Sequence, residues 1–293
     1  MKPSQLSSAA LLQAVGDELG VRALRAQSVS GGDINDAYCV ELRGGERVFV
    51  KTHASPPDGM FTAEARGIRW LAEADAITIP RVLGYRDDGP VRFLALEYIA
   101  GALRLESYDD QLGRGLAALH RYGAPAFGLD HSNFIGTLRQ GNESVDSWAE
   151  FYQRRRLEPQ LALAEKNGLA PREMIDGFEQ LFGRLDDVVG PPEPPARLHG
   201  DLWGGNQHTD ANGSPCLIDP ACYGGHREMD LAMMRLFGGF SGACFSAYEE
   251  AFPLSAGAEQ RVMLCQLYPL MVHLNLFGSS YQNGVMNILG SYC

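Results

Sequence analysis

The run Leu198-His199-Gly200-Asp201-Leu202-Trp203-Gly204-Gly205-Asn206, followed by Leu217-Ile218-Asp219, constrains this chain more than any other stretch. It sets the spacing H-x-D-L-x-x-x-N and then, thirteen residues after the asparagine, an aspartate that ends an apolar run. An amide oxygen and a carboxylate, Asn206 and Asp219, are hard ligands of the kind Mg²⁺ takes. Phosphoryl transfer also needs one carboxylate placed to orient and deprotonate the hydroxyl nucleophile, and the run offers Asp201 and Asp219 as carboxylates. Between them, Asp210-Ala211-Asn212-Gly213 carries Asn-Gly, the strongest short hairpin signal. A hairpin turned there brings Asn206 back beside Asp219, as a shared metal site requires. His-x-Asp by itself is common in polar loops; the whole constellation is what points to phosphoryl transfer.

At 293 residues the chain suits one large domain or two lobes with a full core. A hydrophobic content of 45% and a charged content of 21% are those of a soluble globular protein. The net charge of −11 argues against a nucleic-acid surface, which needs a basic face, and fits a cationic small substrate or plain solubility. Cysteines 39, 216, 222, 244, 265 and 293 show no C-x-x-C spacing, so reduced thiols in the cytoplasm are expected rather than zinc or disulfides. The start, Met1-Lys2-Pro3-Ser4-Gln5-Leu6, has no signal-peptide apolar region. The most apolar window, 262–277, is too short to span a bilayer and carries Gln266, His273 and Asn275, so it reads as a buried helix.

The first hundred residues read as a helix over 5–18 and then a sheet. Strand-like runs cover 23–29 and 37–42, with Ser30-Gly31-Gly32-Asp33-Ile34-Asn35 between them. Such a turn can lay backbone N–H groups at Gly31 and Gly32 over nucleotide phosphates, although it lacks the G-x-G-x-x-G of protein kinases. A third strand ends in Lys51, and on a following helix positions 61, 64, 65, 68, 71 and 72 share one face. All are apolar except Glu64, and a carboxylate on a buried stripe needs a partner. Lys51 is the expected one, and the pair would aim its ammonium at the α- and β-phosphates of ATP. Runs 79–84 and 91–96 give two more strands around Asp87-Asp88-Gly89-Pro90. The extended stretch beyond offers main-chain atoms of Glu97 and Ile99 to an adenine edge. The sheet-rich lobe is expected to cover 1–98 and a mainly helical lobe 99–293.

In the second part, helical spacing covers 109–121, and 127–142 reads as a long loop. A helix follows with Asp146 as its N-cap, carrying Arg154-Arg155-Arg156 as a solvated basic face. Residues 171–189 read as one helix opened by Pro171, and Pro191-Pro192-Glu193-Pro194-Pro195 leads stiffly to the catalytic stretch. Asp230 reads as a helix N-cap or as a buried brace for the catalytic loop. About ten residues separate Asp219 from the helix at Asp230, too few for a peptide-binding activation loop, which favours a small-molecule or side-chain-adduct acceptor. Further helices are expected at 241–252, 257–278 and 280–290.

With these residues in view the chain resembles the fructosamine kinase (ketosamine-3-kinase) family, a branch of the kinase-like fold beside the aminoglycoside and choline kinases. The resemblance runs through residues 30–35, Asn133-Phe134-Ile135-Gly136, Trp148 to Gln160, Leu198 to Asn206 with its tryptophan, and Gly225 to Ala232. Where some relatives carry cysteine after the first glycines, this chain has Asp33, which puts thiol control there in doubt. The resemblance implies an α+β, bilobal, protein-kinase-like fold, with an N-terminal antiparallel sheet lobe and a mainly helical C-terminal lobe. It implies ATP- and Mg²⁺-dependent phosphorylation of the 3-hydroxyl of ketosamines, either fructosamine or ribulosamine adducts of amines or protein lysines. Loss of the unstable product then leads to deglycation. On that basis Asp201 is the base, Asn206 and Asp219 hold the metal, and Lys51 with Glu64 clamps phosphate. Trp203, His226 and His273 are candidates for the acceptor pocket. Another acceptor, such as an aminoglycoside, choline or other amino alcohol, is the alternative. A silent nucleotide-binding pseudokinase is disfavoured because lysine, base and metal aspartate are all present. Neither nucleic acid nor membrane is expected as a partner, and a monomer is the simpler expectation for a chain whose oligomeric state the sequence leaves open.

Overall fold

The computed structural model describes residues 8–29 and 35–292. Gly31 and Gly32, with the rest of the turn expected to cover the phosphates except Asn35, lie outside the described residues. The chain begins with α1 (Ser8–Leu19), β1 (Ala23–Val29), β2 (Asp36–Leu42) and β3 (Arg47–Thr52). It crosses through α2 (Met60–Ala72) and returns in β4 (Val82–Arg86) and β5 (Phe93–Glu97). The five strands form one sheet in the order β1-β2-β3-β5-β4, antiparallel throughout. Period-two alternation gives that sheet two apolar faces. Val40, Leu42, Val48, Val50, Phe93 and Ala95 pack with Leu11 and Val15 of α1. Leu94 and Leu96 pack on the other face with Phe61, Ala65 and Ile68 of α2. Because Val48 and Val50 face α1, Lys51 at the next position of β3 faces α2, directly across from Leu94.

The remainder is mainly helical. It runs through α3 (Tyr108–Tyr122), a short hairpin β6 (Asn133–Ile135) and β7 (Leu138–Gln140), α4 (Trp148–Phe151), a π-helical turn (Tyr152–Leu157) and α5 (Glu158–Lys166). Next come α6 (Arg172–Phe182), α7 (Leu185–Val188), β8 (Ala196–Leu198), β9 (Gln207–Thr209), β10 (Pro215–Leu217) and β11 (Tyr223–Gly225). The chain closes with α8 (Glu228–Phe237), α9 (Gly242–Ala251), α10 (Ala258–Phe277) and α11 (Gln282–Tyr292). α3 and α9 cross closely at Gly113, where a Cβ would collide with the carbonyl of Cys244. α10 runs through the largest core cluster with Leu264, Leu267, Met271 and Leu274 inside. Among the described residues no helix is long and apolar enough to cross a membrane.

Several local expectations change. The loop over 127–142 contains the β6–β7 hairpin, too short for periodicity to reveal. Ser147, not Asp146, caps α4, its hydroxyl accepting the Glu150 amide at 3.2 Å. The segment 171–189 breaks at Gly183 and Arg184 into α6 and α7, and Pro171 stands just before the first helical residue. Arg156 is not solvated: its side chain is fully buried, with its guanidinium 3.8 Å over the Tyr223 ring and 4.6 Å over Phe151. It also donates to the Gly141 carbonyl and the Asn142 side chain, both at 2.8 Å. A buried cation is tolerable there because aromatic faces and carbonyl oxygens replace water.

Candidate active site

Two small ladders hold the loop of residues 199–206. β8 pairs with β11, Leu198 opposite Tyr223, and β9 pairs with β10, Gln207 opposite Leu217. The loop from His199 to Asn206 and the stretch from Ile218 to Cys222 therefore lie side by side between the two ladders. Asp210 closes the β9–β10 turn, its carboxylate accepting the amides of Asn212 and Ser214 at 2.8 Å.

Beneath the loop, Asp230 accepts the amides of His199 and Gly200, each at 2.8 Å, and contacts His120 Nε2 at 3.1 Å. Of the two roles open to Asp230, the structure selects the brace: it lies inside the first turn of α8 and is buried. Burial pushes its carboxyl up, but the His120 contact and these amides outweigh that and hold it below the ordinary range. Gly200 has φ +81°, and a Cβ on it would strike the Ala221 carbonyl, so glycine is required where the loop turns. His199 Nε2 donates to the Ile218 carbonyl at 2.9 Å, and its Nδ1 accepts the Asp201 amide at 3.3 Å. The histidine is thus a neutral spacer between the two halves of the site, and burial lowers its pKa.

Lys51 meets two carboxylates at once, Glu64 at 2.7 Å and Asp219 at 3.0 Å. Burial would lower the pKa of Lys51, yet the charges of Asp219 and Glu64 raise it above its ordinary value, so the ammonium stays charged. Burial, with the nearby Asp219 charge, raises the Glu64 carboxyl above its ordinary range although Lys51 draws it down; the 2.7 Å contact keeps the two groups paired. Asp219 has φ +56°, a left-handed backbone that aspartate tolerates better than most residues and that is often found at functional sites.

Asn206 Nδ2 donates to Asp201 through its carbonyl at 2.7 Å and its Oδ2 at 3.1 Å, and to the Asp219 carbonyl at 3.4 Å. With the nitrogen so engaged, Asn206 Oδ1 is left for a cation, beside an Asp219 carboxylate that gives one oxygen to Lys51. Oxygen donors of this kind suit Mg²⁺, which commonly takes one or two protein ligands and completes its shell with phosphate and water. Among the described residues no cluster of three histidine, cysteine or carboxylate ligands exists, so the set does not suit a fully protein-bound metal. Asp201 is pushed up to about 7, chiefly by burial; the Asn206 amide opposes the shift while Asp219 and Asp230 add to it.

These groups line one side of a cavity of about 410 Å³. Trp203, Phe237, His273, Phe277 and Tyr281 line it too, with Asn35, Phe134 and Gly136. The His273 ring stacks on Phe237 at 4.4 Å and meets Tyr281 at 5.1 Å. Its Nδ1 donates to the Pro269 carbonyl at 2.8 Å, which leaves Nε2 as an acceptor. Burial lowers its pKa, in keeping with a neutral ring. His226 does not belong with this group. It is buried against the Trp148 ring at 6.1 Å, with Nε2 3.9 Å from Glu193, outside the cavity lining. Glu97 and Ile99 also lie outside that lining, at and just past the end of β5. The Ile99 carbonyl accepts from His208 Nε2 at 3.1 Å, and the Glu97 side chain accepts from Arg81 Nε at 3.0 Å.

Sequence reasoning missed Phe237, Phe277 and Tyr281 as lining residues. Positions 273, 277 and 281 recur every fourth residue, a helical aromatic spacing that could have exposed two of them. Phe237 comes from a different helix and carries no such signal.

The sequence profile of the fructosamine kinase family matches residues 4–293. The "probable ketoamine kinase" of Synechocystis sp. is 36% identical over 291 residues, covering 98% of this chain and 96% of that one. The crystal structure of a "putative fructosamine-3-kinase" from Thermobifida fusca YX-ER1 superposes with a TM-score of 0.88 at 35% identity, over 97% of this chain and 98% of that one. The ADP-bound aminoglycoside phosphotransferase APH(2'')-Ib, only 17% identical, still gives a TM-score of 0.64 over 97% of both chains, which shows the shared kinase-like fold. By profile, identity and architecture together, this chain belongs to the fructosamine kinase family.

Proposed function

We propose that this protein is an ATP-dependent kinase that phosphorylates the 3-hydroxyl of a ketosamine, with Mg²⁺ as its metal. One observation carries the reading: Lys51, Glu64, Asp201, Asn206 and Asp219, drawn from five places in the sequence, line the same cavity. Family membership supplies the acceptor class. Lys51, fixed by Glu64, holds ATP phosphates; Asn206 and Asp219 would hold Mg²⁺, which supplies neutralisation of phosphate charge. Asp201 takes the proton of the attacking hydroxyl, the new bond forms between that oxygen and the γ-phosphorus, and ADP leaves. A base near 7 can be ionised at neutral pH and still accept a proton readily.

The aromatic wall of Trp203, His273, Phe277 and Tyr281 suits a sugar ring with apolar faces and hydroxyl edges, and His273 Nε2 can accept from a hydroxyl. The absence of a long activation segment leaves the cavity to a small molecule or a single modified side chain. An ATP-consumption assay comparing ribulosyllysine and fructosyllysine with aminoglycosides and choline tests the reading. Turnover with one or both ketosamines, and little with the others, is expected. Turnover with choline or an aminoglycoside alone would move the chain's activity to another branch of the fold.

A further inference from the structure

In the reading above, Lys51 and Glu64 grip phosphate only as firmly as the first turn of α2 holds Glu64 in place. That turn is supported from outside the helix. Gly59 precedes α2 with φ 78° and has no side chain to cap it, and the turn contains no acidic residue. The amides of Phe61 and Thr62 are two of the donors that every helix start leaves without an intrahelical partner. Asp87 takes both, its two carboxylate oxygens accepting them at 3.1 and 2.6 Å.

Asp87 stands 25 residues beyond Thr62, in the connection between β4 and β5. The same connection sends Arg92 to the Pro56 carbonyl at 3.3 Å and to Asp58 at 2.9 Å, fixing the chain that enters the helix. Glu64 lies one turn past Phe61 on the same face, and Phe61 is wholly buried against Leu94 and Leu96 of β5. The far end of α2 is held independently: Arg197 donates to the Trp70 carbonyl, reaches Glu73 at 3.2 Å and stacks 4.1 Å over the Trp70 ring. A change at Asp87 therefore acts on the first turn, on which the next turn with Glu64 is built, without releasing the whole helix.

We propose that Asp87 is a positioning residue for nucleotide binding: it caps α2 from the neighbouring strand connection and so holds Glu64 against Lys51. This rests on Lys51 and Glu64 being the phosphate clamp. The test is calorimetric MgATP affinity and thermal midpoint for the intact protein and for Asp87→Ala, Asp87→Asn, Glu64→Ala and the Asp87→Ala/Glu64→Ala double variant. Loss of a helix cap should weaken MgATP binding roughly two- to thirty-fold in Asp87→Ala. Asp87→Asn, which keeps an acceptor oxygen, should fall between, and it carries the comparison alone should Asp87→Ala fail to fold. Because Asp87 acts through Glu64, the double variant should bind no more weakly than Glu64→Ala.

A lowered thermal midpoint with unchanged MgATP affinity in the Asp87 variants would make Asp87 a structural cap only and overturn the proposal. So would losses that add in full across the two sites. These failures are distinct from failure of the underlying reading. If Glu64→Ala binds MgATP as well as the intact protein, the clamp itself is wrong. If Glu64→Ala binds weakly and Asp87→Ala does not, only the role of Asp87 falls.

Discussion

Asp201, Asp219 and Asp230 crowd three carboxylates around one loop, and their partners separate their chemistry. Asp230 is buried, bonded to amides and ionised; Asp219 shares the Lys51 ammonium; Asp201 has the Asn206 amide and, more weakly, the Lys51 charge to stabilise its own. That leaves Asp201 as the carboxylate with proton affinity to spare. With Asp201 as the proposed base, Asp201→Asn keeps the shape and removes the proton acceptor, so kcat should fall by roughly 10²–10⁴, the usual worth of a general base. MgATP affinity should hardly change, since the proposal gives phosphate and metal to other groups. Calorimetry and turnover measured on the same variant separate this from a metal-ligand role, in which both would fall together. Glu64 was legible in the sequence because a single carboxylate broke an apolar stripe. Arg156 was not, because the rings and carbonyl that surround it come from Gly141, Phe151, Tyr223 and Tyr268, contacts that only the folded chain brings together.

At the scale of elements, the β9–β10 hairpin was readable from Asn212-Gly213, and with it the approach of Asn206 to Asp219, now seen at 3.4 Å. The β6–β7 hairpin was not, since two three-residue strands carry no periodicity. Asp87 escaped for a related reason: a helix cap supplied from another strand connection leaves no local signature. The proline-rich linker 191–195 read as stiff, and the structure shows what anchors it. Glu193 accepts from Arg227 at 2.7 and 3.0 Å and from Ser255 at 2.7 Å. Burial pushes the Glu193 carboxyl up, but these bonds and the neighbouring charges prevail and hold it at about 2, against an ordinary 4.5. A depressed carboxyl contributes stability above its unfolded pKa and loses it as pH falls through the folded one. The linker's anchor should therefore be fully present at pH 7 and fade between about 4.5 and 2. Replacement by Glu193→Gln should cost on the order of 1 kcal/mol at neutral pH, since solvent screens a group that is only partly buried. Denaturant titrations of both proteins across this range should show the difference closing with acid; a constant difference would mean that charge plays no part.

Across the whole molecule, the stretch that follows Asp219 is packed into the helical region. Residues 221–234, which follow Asp219, are all buried, and Gly224 bridges to Gly128 in both directions at 2.7 and 2.8 Å. No segment there is available as a mobile activation loop, as the short spacing after Asp219 suggested. The double contact of Lys51, with Glu64 and with Asp219, has a chemical consequence of its own. Reducing sugars modify proteins by condensing with uncharged amines, the Schiff base forming as water leaves, and an ammonium has no lone pair to offer. Three of the chain's 25 basic residues are lysines, namely Lys2, Lys51 and Lys166. Lys166 is exposed at the end of α5, whereas Lys51 is buried and kept protonated by two carboxylates. Prolonged incubation with ribose 5-phosphate should leave Lys51 unmodified and turnover intact while Lys166 gains adducts, as peptide mass spectrometry would read. In Glu64→Gln, with one carboxylate gone, adducts at Lys51 should begin to accumulate. An enzyme that meets sugar-modified amines would thus hold the amine in its own cavity in the one protonation state that sugars cannot attack.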